Sequence, residues 1–372
     1  MKNKLFFLFS VLLMACSSND DTNPIEVEKR SFYMGVTPWP ADFTIDEVNK
    51  SYEFINTNCD IVSHHFDDGI PYQEAFTNTT MPAEFVQDIQ TRKNKTAVGK
   101  KVFLSISALD LNRIQKARYY EKSTVSAAIK NQWIQLPFTN PDLISAYVNY
   151  VNYLMDEFNP IYVNFGVESN AVTWNSVNFN DYKYFLSQVY QQFKATHPTI
   201  PFMVSFMVDE STEGYNYASQ LVQYTDFIAL SAYPYVVVSS SANGNTNPAN
   251  FPANFFEKFI NLSSTKPLVF AETGYIAENL VVPSFNLNKT GTAEWQNEYL
   301  KKITQLCQDK KAKMLIWFCH KDYDAAIVTI QNLGLYQDLF LLWRDTGFID
   351  QNGNARPSFY TWKSWLNKTK TE

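Results

Sequence analysis

The stretch LVFAETGY (residues 268–275) places four continuously apolar residues directly before a glutamate, Glu272. The stretch YVNFGVE (residues 162–168) is mostly apolar, with Asn164 inside the run, and it also ends on a glutamate, Glu168. Continuous apolar runs, unlike alternating ones, are typical of strands that are covered on both faces. Eight short apolar runs, most of them continuous, predict strands at Phe32–Val36, Cys59–His64, Lys101–Ser107, Ile161–Gly166, Pro201–Met207, Phe227–Ser231, Leu268–Ala271 and Met314–Phe318.

Helical patterns separate these predicted strands. Thr44 and Glu47 have the spacing of a capping box at the start of one helix. The predicted helices cover Ile45–Thr57, Pro141–Phe158, Asp181–Thr196, Glu213–Tyr224, Asn254–Asn261, Ala293–Cys307 and Pro357–Leu366. Eight strands that alternate with helices predict an α/β protein with a single (β/α)8 TIM barrel. A doubly wound open sheet is the alternative, but its glycine-rich phosphate loop is missing from a sequence with only 11 Gly.

Composition narrows the function classes. The chain has 372 residues, of which 45% are hydrophobic and 18% charged, so it can bury a large core and is not a disordered protein. With 31 Lys and Arg against 37 Asp and Glu, the net charge is −6, which argues against nucleic acid as a partner. Aromatic residues make up 16% of the chain, enough to supply both a core and a binding cleft.

The first residues have the pattern of an export signal. Lys2 and Lys4 precede an apolar run from Leu5 to Met14, which is too short to span a bilayer. LMAC (residues 13–16) resembles a bacterial lipobox, which implies cleavage before Cys16 and lipidation of its thiol. We therefore expect a signal peptide at 1–15, a lipid-anchored flexible tether at 16–29 and the barrel at 30–372. The alternative is an ordinary signal peptide with an incidental cysteine.

The remaining cysteines are Cys59, Cys307 and Cys319. One disulfide is compatible with an oxidising compartment, although buried free thiols are the favoured interpretation. Their spacing does not match a zinc site. The sequence thus requires neither a metal nor another cofactor.

In a (β/α)8 barrel, residues just past the strand ends line the active site. Glu168 and Glu272 follow the fourth and seventh predicted strands, on opposite sides of the barrel mouth. A charge at the end of an apolar strand is costly to desolvate unless it has a use. Retaining glycosidases use two such carboxylates, roughly 5–5.5 Å apart, as nucleophile and acid/base. The pair therefore predicts glycoside hydrolysis.

Several segments resemble the clan A glycoside hydrolases, which carry the acid/base after strand 4 and the nucleophile after strand 7. FIALSAYPY (residues 227–235) is similar to strand 6 of family 53 endo-β-1,4-galactanases. KPLVFAETGY (residues 266–275) is similar to strand 7 of families 53 and 17. The resemblance implies that Glu272 is the nucleophile and Glu168 the acid/base. Most of the clan has Asn immediately before the acid/base, where this chain has Val167.

Further site residues are expected at other strand ends. The resemblance implies that Trp317 forms the aromatic floor of the site. It also implies that Asn170 or Asn164 takes the role of the Asn that Val167 replaces. Tyr233 is expected to donate a hydrogen bond to Glu272. The predicted substrate-binding residues are Trp39, His64, Asn170, Tyr233, Trp317 and His320.

A lipid-anchored enzyme suits a polymer that is too large to import. We therefore expect a monomer that a lipid on Cys16 anchors to the outer membrane, on the cell surface or otherwise on the periplasmic face. We also expect an endo-acting retaining β-glycosidase that cleaves β-galactan, β-1,3-glucan or β-mannan. One alternative is a non-catalytic glycan-binding lipoprotein on the same barrel, which Val167 favours. Another is an adhesion lipoprotein in which the two glutamates are incidental.

Overall fold

Eight parallel strands close into one barrel in the computed structural model, which describes residues 28–171, 174–238 and 244–371. Each strand pairs with its neighbours in chain order, and the last strand closes the barrel onto the first. The (β/α)8 prediction is therefore confirmed. The strands are β1 (Tyr33–Val36), β2 (Ile61–Phe66), β3 (Lys101–Ile106), β4 (Tyr162–Gly166), β5 (Phe202–Met207), β6 (Ile228–Ala232), β7 (Leu268–Thr273) and β8 (Met314–Trp317).

Helices connect the strands and cover the outside of the barrel. The Thr44 side chain accepts a hydrogen bond from the Glu47 amide and so caps the first helix, as the capping-box pattern predicts. The helices are α1 (Ile45–Asn58), α2 (Tyr72–Thr77), α3 (Ala83–Lys95), α4 (Ala127–Gln135), α5 (Pro141–Phe158), α6 (Ser176–Thr196), α7 (Thr212–Leu221), α8 (Pro234–Val237), α9 (Glu257–Ile260), α10 (Ala293–Asp309), α11 (Asp324–Asn332) and α12 (Pro357–Leu366).

The core has two layers, because successive side chains of a strand point to opposite faces. One layer fills the barrel interior and includes Ile61, Phe103, Val269 and Ile316. The other lies between the strands and the helices, and it contains most of the buried apolar residues. A strand side chain can therefore reach the barrel mouth only if it points into the interior layer.

The two ends of the described chain meet at the barrel floor. Lys29–Arg30 pairs in parallel with Thr369–Lys370. The Arg30 guanidinium also forms a two-pronged ion pair with Asp60, at 2.7 and 2.8 Å. These contacts tie the start of the described chain to the end opposite the mouth.

Residues 1–27 lie outside the described part of the chain, and so do the predicted signal peptide, Cys16 and nearly all of the predicted tether. Among the described residues, no helix combines the length and the apolarity that a membrane crossing requires. Cys59, Cys307 and Cys319 are buried free thiols, in agreement with the favoured interpretation of the sequence.

Candidate active site

Both candidate catalytic glutamates follow a β-bulge. In β4 the pairing with β5 shifts between Asn164 and Gly166, and in β7 the pairing with β6 shifts between Phe270 and Glu272. An extra residue in one strand bends it locally and changes the direction of the side chains that follow. In β7 the consequence is visible at Thr273, which faces outward and contacts the α10 hydroxyl of Tyr299 at 2.7 Å.

Glu168 is held by hydrogen-bond donors from the loop after β3 and from the end of β6. The Arg113 guanidinium donates to Glu168 Oε2 at 3.1 Å, and the Ser231 hydroxyl donates to Oε1 at 2.7 Å. The backbone amide of Glu168 donates to Ser205 Oγ at 3.0 Å. Its side chain is 17% exposed. Charge-assisted hydrogen bonds of this kind fix the direction in which a carboxylate points.

Glu272 has different partners. The Tyr233 hydroxyl donates to Glu272 Oε1 at 2.6 Å, and His65 Nδ1 lies 3.8 Å from Oε2. Burial and the nearby charge of Glu168 raise the pKa of Glu272 above its usual range, and the contributions of His65, Tyr233 and Arg113 oppose that rise only in part. Burial, reinforced by the Glu272 charge, also raises the pKa of Tyr233, which keeps the phenol protonated as a donor.

His65 lies between two carboxylates. Its Nε2 is 3.4 Å from Asp67 Oδ2, and its Nδ1 faces Glu272. Burial alone would lower the pKa of His65, but the charges of Asp67 and Glu272 outweigh it and raise the pKa above the usual value. The imidazolium is therefore the favoured form in mildly acidic solution, and it carries a positive charge to the edge of Glu272.

Shared neighbours bring the two glutamates together. Ser231, which donates to Glu168, is the residue paired with Glu272 between β6 and β7. Arg113 contacts Glu168 directly, and its charge also acts on Glu272. The structure thus gathers two carboxylates, a guanidinium and an imidazole at the mouth of the barrel.

Half-buried aromatic rings flank this group. The Trp343 ring lies 5.7 Å from the Tyr233 ring and 6.4 Å from the Phe318 ring. The Phe318 ring in turn lies 5.9 Å from the Trp39 ring. We call Trp39, Phe318 and Trp343 the aromatic wall. Such a surface suits the C–H faces of a pyranose ring, and Trp39 is the one member that the sequence predicted.

Two predicted binding residues point away from the barrel interior, into the layer between the strands and the helices. His64 is fully buried against Phe158 in the helix layer, and its Nε2 contacts Thr96 Oγ1 at 3.3 Å. Trp317 is also fully buried, and its indole donates to the Thr346 carbonyl. Both predictions were wrong by one residue, because alternate side chains of a strand face opposite sides. His65 and Phe318 lie at the mouth instead.

Two further predictions are corrected by burial. The Asn170 side chain donates to the Met207 and Gly214 carbonyls and accepts from the Met207 amide, so it joins the loops after β4 and β5 rather than facing a substrate. His320 is 3% exposed and packs against Phe54 of α1. Burial lowers its pKa to about 4, which makes it a neutral core residue at physiological pH.

The proposed substitute Asn164 is unsuited to sugar binding as well. It is buried in the barrel interior, where its amide donates to Ser105 and Ser205. Neither Asn164 nor Asn170 therefore takes the role of the asparagine that Val167 replaces, and Val167 is itself buried.

Sequence reasoning missed five residues of the site, and their signals were weak. His65 is adjacent to the residue chosen, and Phe318 follows the residue chosen. Trp343 lies outside every predicted strand and helix, and its ring lies against Tyr233. Arg113 lies six residues beyond the end of the third predicted strand. Ser231 is the last residue of the sixth predicted strand. The missed residues are His65, Arg113, Ser231, Phe318 and Trp343.

A second acidic group lies beyond β8. One carboxylate oxygen from each of Asp322, Asp324 and Asp345 falls within 4.8 Å of the others. Arg356 pairs with Asp322 at 2.6 Å and Arg344 pairs with Asp345 at 2.7 Å. Because guanidinium groups already balance two of the three charges, this arrangement is explained as a structural ion-pair network.

A surface cavity of about 440 Å³ opens between the start of α1 and the segment after β8. Its lining mixes both charges, and Glu47 pairs there with Lys50 at 2.6 Å and with Lys321 at 3.7 Å. Neither Glu168 nor Glu272 lines this cavity. It is separate from the carboxylate pair.

No protein-family model and no curated protein sequence matches the chain. Solved structures of similar fold include a GH5_18 variant from Streptomyces cattleya in complex with Manβ1-4GlcNAc, with a TM-score of 0.62 and 13% identity over 92% of this chain and 82% of that one. Native xylanase 10B from Thermotoga maritima gives a TM-score of 0.58 and 13% identity, over 91% and 95% of the two chains.

The exo-β-1,4-mannosidase from Opitutaceae bacterium strain TAV5 gives a TM-score of 0.57 and 12% identity. The match covers 91% of this chain, which spans 60% of the mannosidase. At identities this low, the likeness shows the barrel fold. The three solved structures named here are a GH5_18 protein, a xylanase and a mannosidase.

Proposed function

We propose that this chain is a retaining β-glycosidase, with Glu272 as nucleophile and Glu168 as acid/base. The observation that carries the proposal is the meeting of these two carboxylates at one barrel mouth, through Ser231 and Arg113. The aromatic wall beside them supplies the apolar surface that a pyranose ring requires. The low-identity barrels described above add support at the level of the fold.

The proposed reaction has two displacements. In the first, a carboxylate oxygen of Glu272 bonds to the anomeric carbon while the glycosidic C–O bond breaks, and protonated Glu168 gives its proton to the leaving oxygen. In the second, Glu168 takes a proton from water, whose oxygen bonds to the anomeric carbon and releases Glu272. Both glutamates return to their starting states, and one water is consumed.

The surroundings of Glu272 suit a nucleophile. Tyr233 fixes one carboxylate oxygen by a 2.6 Å hydrogen bond and leaves the other facing His65. Burial raises the pKa of Glu272, so its attack requires a solution above that raised value. This predicts an acidic limb in the pH–rate profile.

The proposed substrate is a β-linked polysaccharide that is cleaved internally. Manβ1-4GlcNAc is bound by one structural neighbour, and two others are named as a β-1,4-mannosidase and a xylanase. These names support a β-linked substrate and favour β-mannan among the three candidates. β-Galactan and β-1,3-glucan stay in the test.

A panel assay tests the proposal. Purified protein is incubated with β-mannan, β-galactan and β-1,3-glucan, and new reducing ends are counted while the products are sized. We expect release from one polymer, with products of several lengths if cleavage is internal. Glu272→Gln abolishes that release under the proposal. A folded wild-type protein that binds a polymer and releases nothing would contradict it.

A second candidate function is glycan binding without hydrolysis. Two observations favour it: both oxygens of Glu168 already have donors, and Val167 replaces the usual asparagine. Under this alternative the aromatic wall binds sugar and the carboxylates hold hydroxyl groups. Retention of a polymer on affinity gels, with no reducing ends after prolonged incubation, is its expected result.

We further propose that a lipid on Cys16 anchors the protein to the outer membrane. The anchored protein is a monomer and faces the cell exterior. The supporting observation is the sequence LMAC (residues 13–16) after a basic and apolar leader. Metabolic labelling with radioactive palmitate is expected to label the wild type and not Cys16→Ala. Equal labelling of both would contradict the anchor.

A further inference from the structure

The loop after β3 carries Arg113 over the barrel mouth. Leu109 and Lys116 form an antiparallel bridge that closes the loop. The Asp110 carboxylate accepts hydrogen bonds from the amides of Ile114 and Gln115. Arg113 is 9% exposed, so this tight loop places its guanidinium in the protein rather than in solvent.

The guanidinium is oriented from several directions. Arg113 Nη1 donates to the Asp110 carbonyl at 2.9 Å and contacts Ser107 Oγ at 3.3 Å, while Nε donates to Glu168. With Ser231 on the other oxygen, each Glu168 oxygen has a donor. A carboxylate whose two oxygens both have donors is fixed in position and direction.

The backbone of both partners is in an unusual conformation. Arg113 has φ 59° and Glu168 has φ 49°, in the left-handed region that residues with a side chain rarely adopt. Such strain persists where surrounding contacts fix it, and it concentrates at functional sites. Here it occurs on both sides of a single ion pair, which points to selection for that contact.

The electrostatics agree with this geometry. Burial alone would lower the pKa of Arg113, but the charges of Glu168 and Asp67 outweigh it and raise the pKa. The guanidinium is thus charged at every relevant pH. The other charged or titratable groups that act with Glu168 are Glu272, on β7, and Tyr233, which follows β6.

We propose that Arg113 is a positioning residue, which aims the Glu168 carboxylate across the barrel mouth and places a permanent positive charge beside it. This inference rests on the proposed glycosidase function. Arg113 touches no reacting atom in this account and acts through Glu168.

The first test needs no substrate. Carbodiimide couples an amine to protonated carboxyl groups, and peptide mass spectrometry measures the labelling of Glu168 against the exposed Glu298. At pH 6, Arg113→Met is expected to increase relative labelling of Glu168 by about tenfold, since an opposite charge this close shifts protonation by at least about one pH unit. Arg118→Met, which removes an exposed arginine from the following segment, is the matched control.

Labelling of Glu168 in Arg113→Met within about twofold of the wild type would overturn the proposal. If circular dichroism shows that this variant is unfolded, Arg113→Lys decides instead, because it keeps the charge. It is expected to leave labelling within about twofold of the wild type, and an increase of about tenfold would contradict the proposal.

The second test uses a polysaccharide that the wild type hydrolyses. The acid must be protonated, so removal of the neighbouring cation moves the alkaline limb of kcat/KM to higher pH by about one unit in Arg113→Met. Arg113→Lys is expected to restore the limb, which a purely structural role would not require. An unmoved limb in a folded Arg113→Met would contradict the inference. A wild type without activity refutes the proposed function, while the labelling test still decides the role of Arg113.

Discussion

The two glutamates at the barrel mouth have opposite surroundings. Glu168 is held by the permanent charge of Arg113, whereas Glu272 is held by a phenol and an imidazole. A guanidinium stays charged across the whole physiological range, but the pKa of His65 is only raised above an ordinary histidine value. The difference indicates that the β4 side of the mouth has a fixed charge and that the β7 side responds to pH.

The largest expected effect comes from the β7 side. Under the proposed mechanism Glu272→Gln removes the nucleophile, and kcat is expected to fall by about four orders of magnitude. Reducing-end release from the best polymer measures it. Glu298→Gln, on the exposed surface of α10, is the matched control and should leave kcat unchanged. A loss of less than about tenfold in Glu272→Gln would refute its role.

The β4 side should give a smaller and more selective loss. Glu168→Gln removes general acid catalysis, which contributes about 10²–10⁴-fold. The loss is expected to be large for a polysaccharide and small for an aryl glycoside, whose leaving group departs without a proton. Rates with aryl glycosides of graded leaving-group acidity measure this dependence. Equal losses with every leaving group would contradict the acid role.

Tyr233→Phe tests the neutral partner of Glu272. Loss of a hydrogen bond to a charged group, worth roughly 2 kcal/mol, is expected to lower kcat/KM by about 30-fold. Tyr233 opposes the raised pKa of Glu272, so its removal raises that pKa further. The nucleophile must be ionised, and the acidic limb of kcat/KM therefore moves to higher pH. A limb that moves to lower pH would contradict the assignment.

The smallest effect is expected at the aromatic wall. Phe318→Ala should raise KM by about tenfold with little change in kcat, because apolar contact with the sugar is lost in the ground state and transition state alike. Trp317→Phe is the control one residue earlier. It should leave KM unchanged and lower the free energy of unfolding by about 1–3 kcal/mol, as measured by urea denaturation.

The barrel itself was predictable, because eight short apolar runs and the helices between them leave few other folds. α3 was missed because its pattern is weak: Phe85 and Ile89 are the buried residues of a largely polar helix. The strand positions were thus easier to predict than the helices that cover them.

The site was predictable only where charge made it visible. Glu168 and Glu272 interrupt apolar runs, so a carboxylate was conspicuous at each strand end. The sequence did not indicate whether a strand residue faces the barrel interior or the helices, because a strand covered on both faces is apolar on both faces. His64 and Trp317 were therefore placed at the mouth in error. The β-bulges before the two glutamates, which shift the alternation of facing, have no signal of their own in the sequence.

The most direct test of the account is to trap its covalent intermediate. The protein is incubated with 2-deoxy-2-fluoro-β-glycosyl fluorides of mannose, galactose and glucose, and its peptides are analysed by mass spectrometry. One sugar is expected on the peptide that contains Glu272, and none in Glu272→Gln. A folded wild-type protein that hydrolyses a β-glycan while the sugar is attached elsewhere, or that forms no adduct with any of the three, would contradict it.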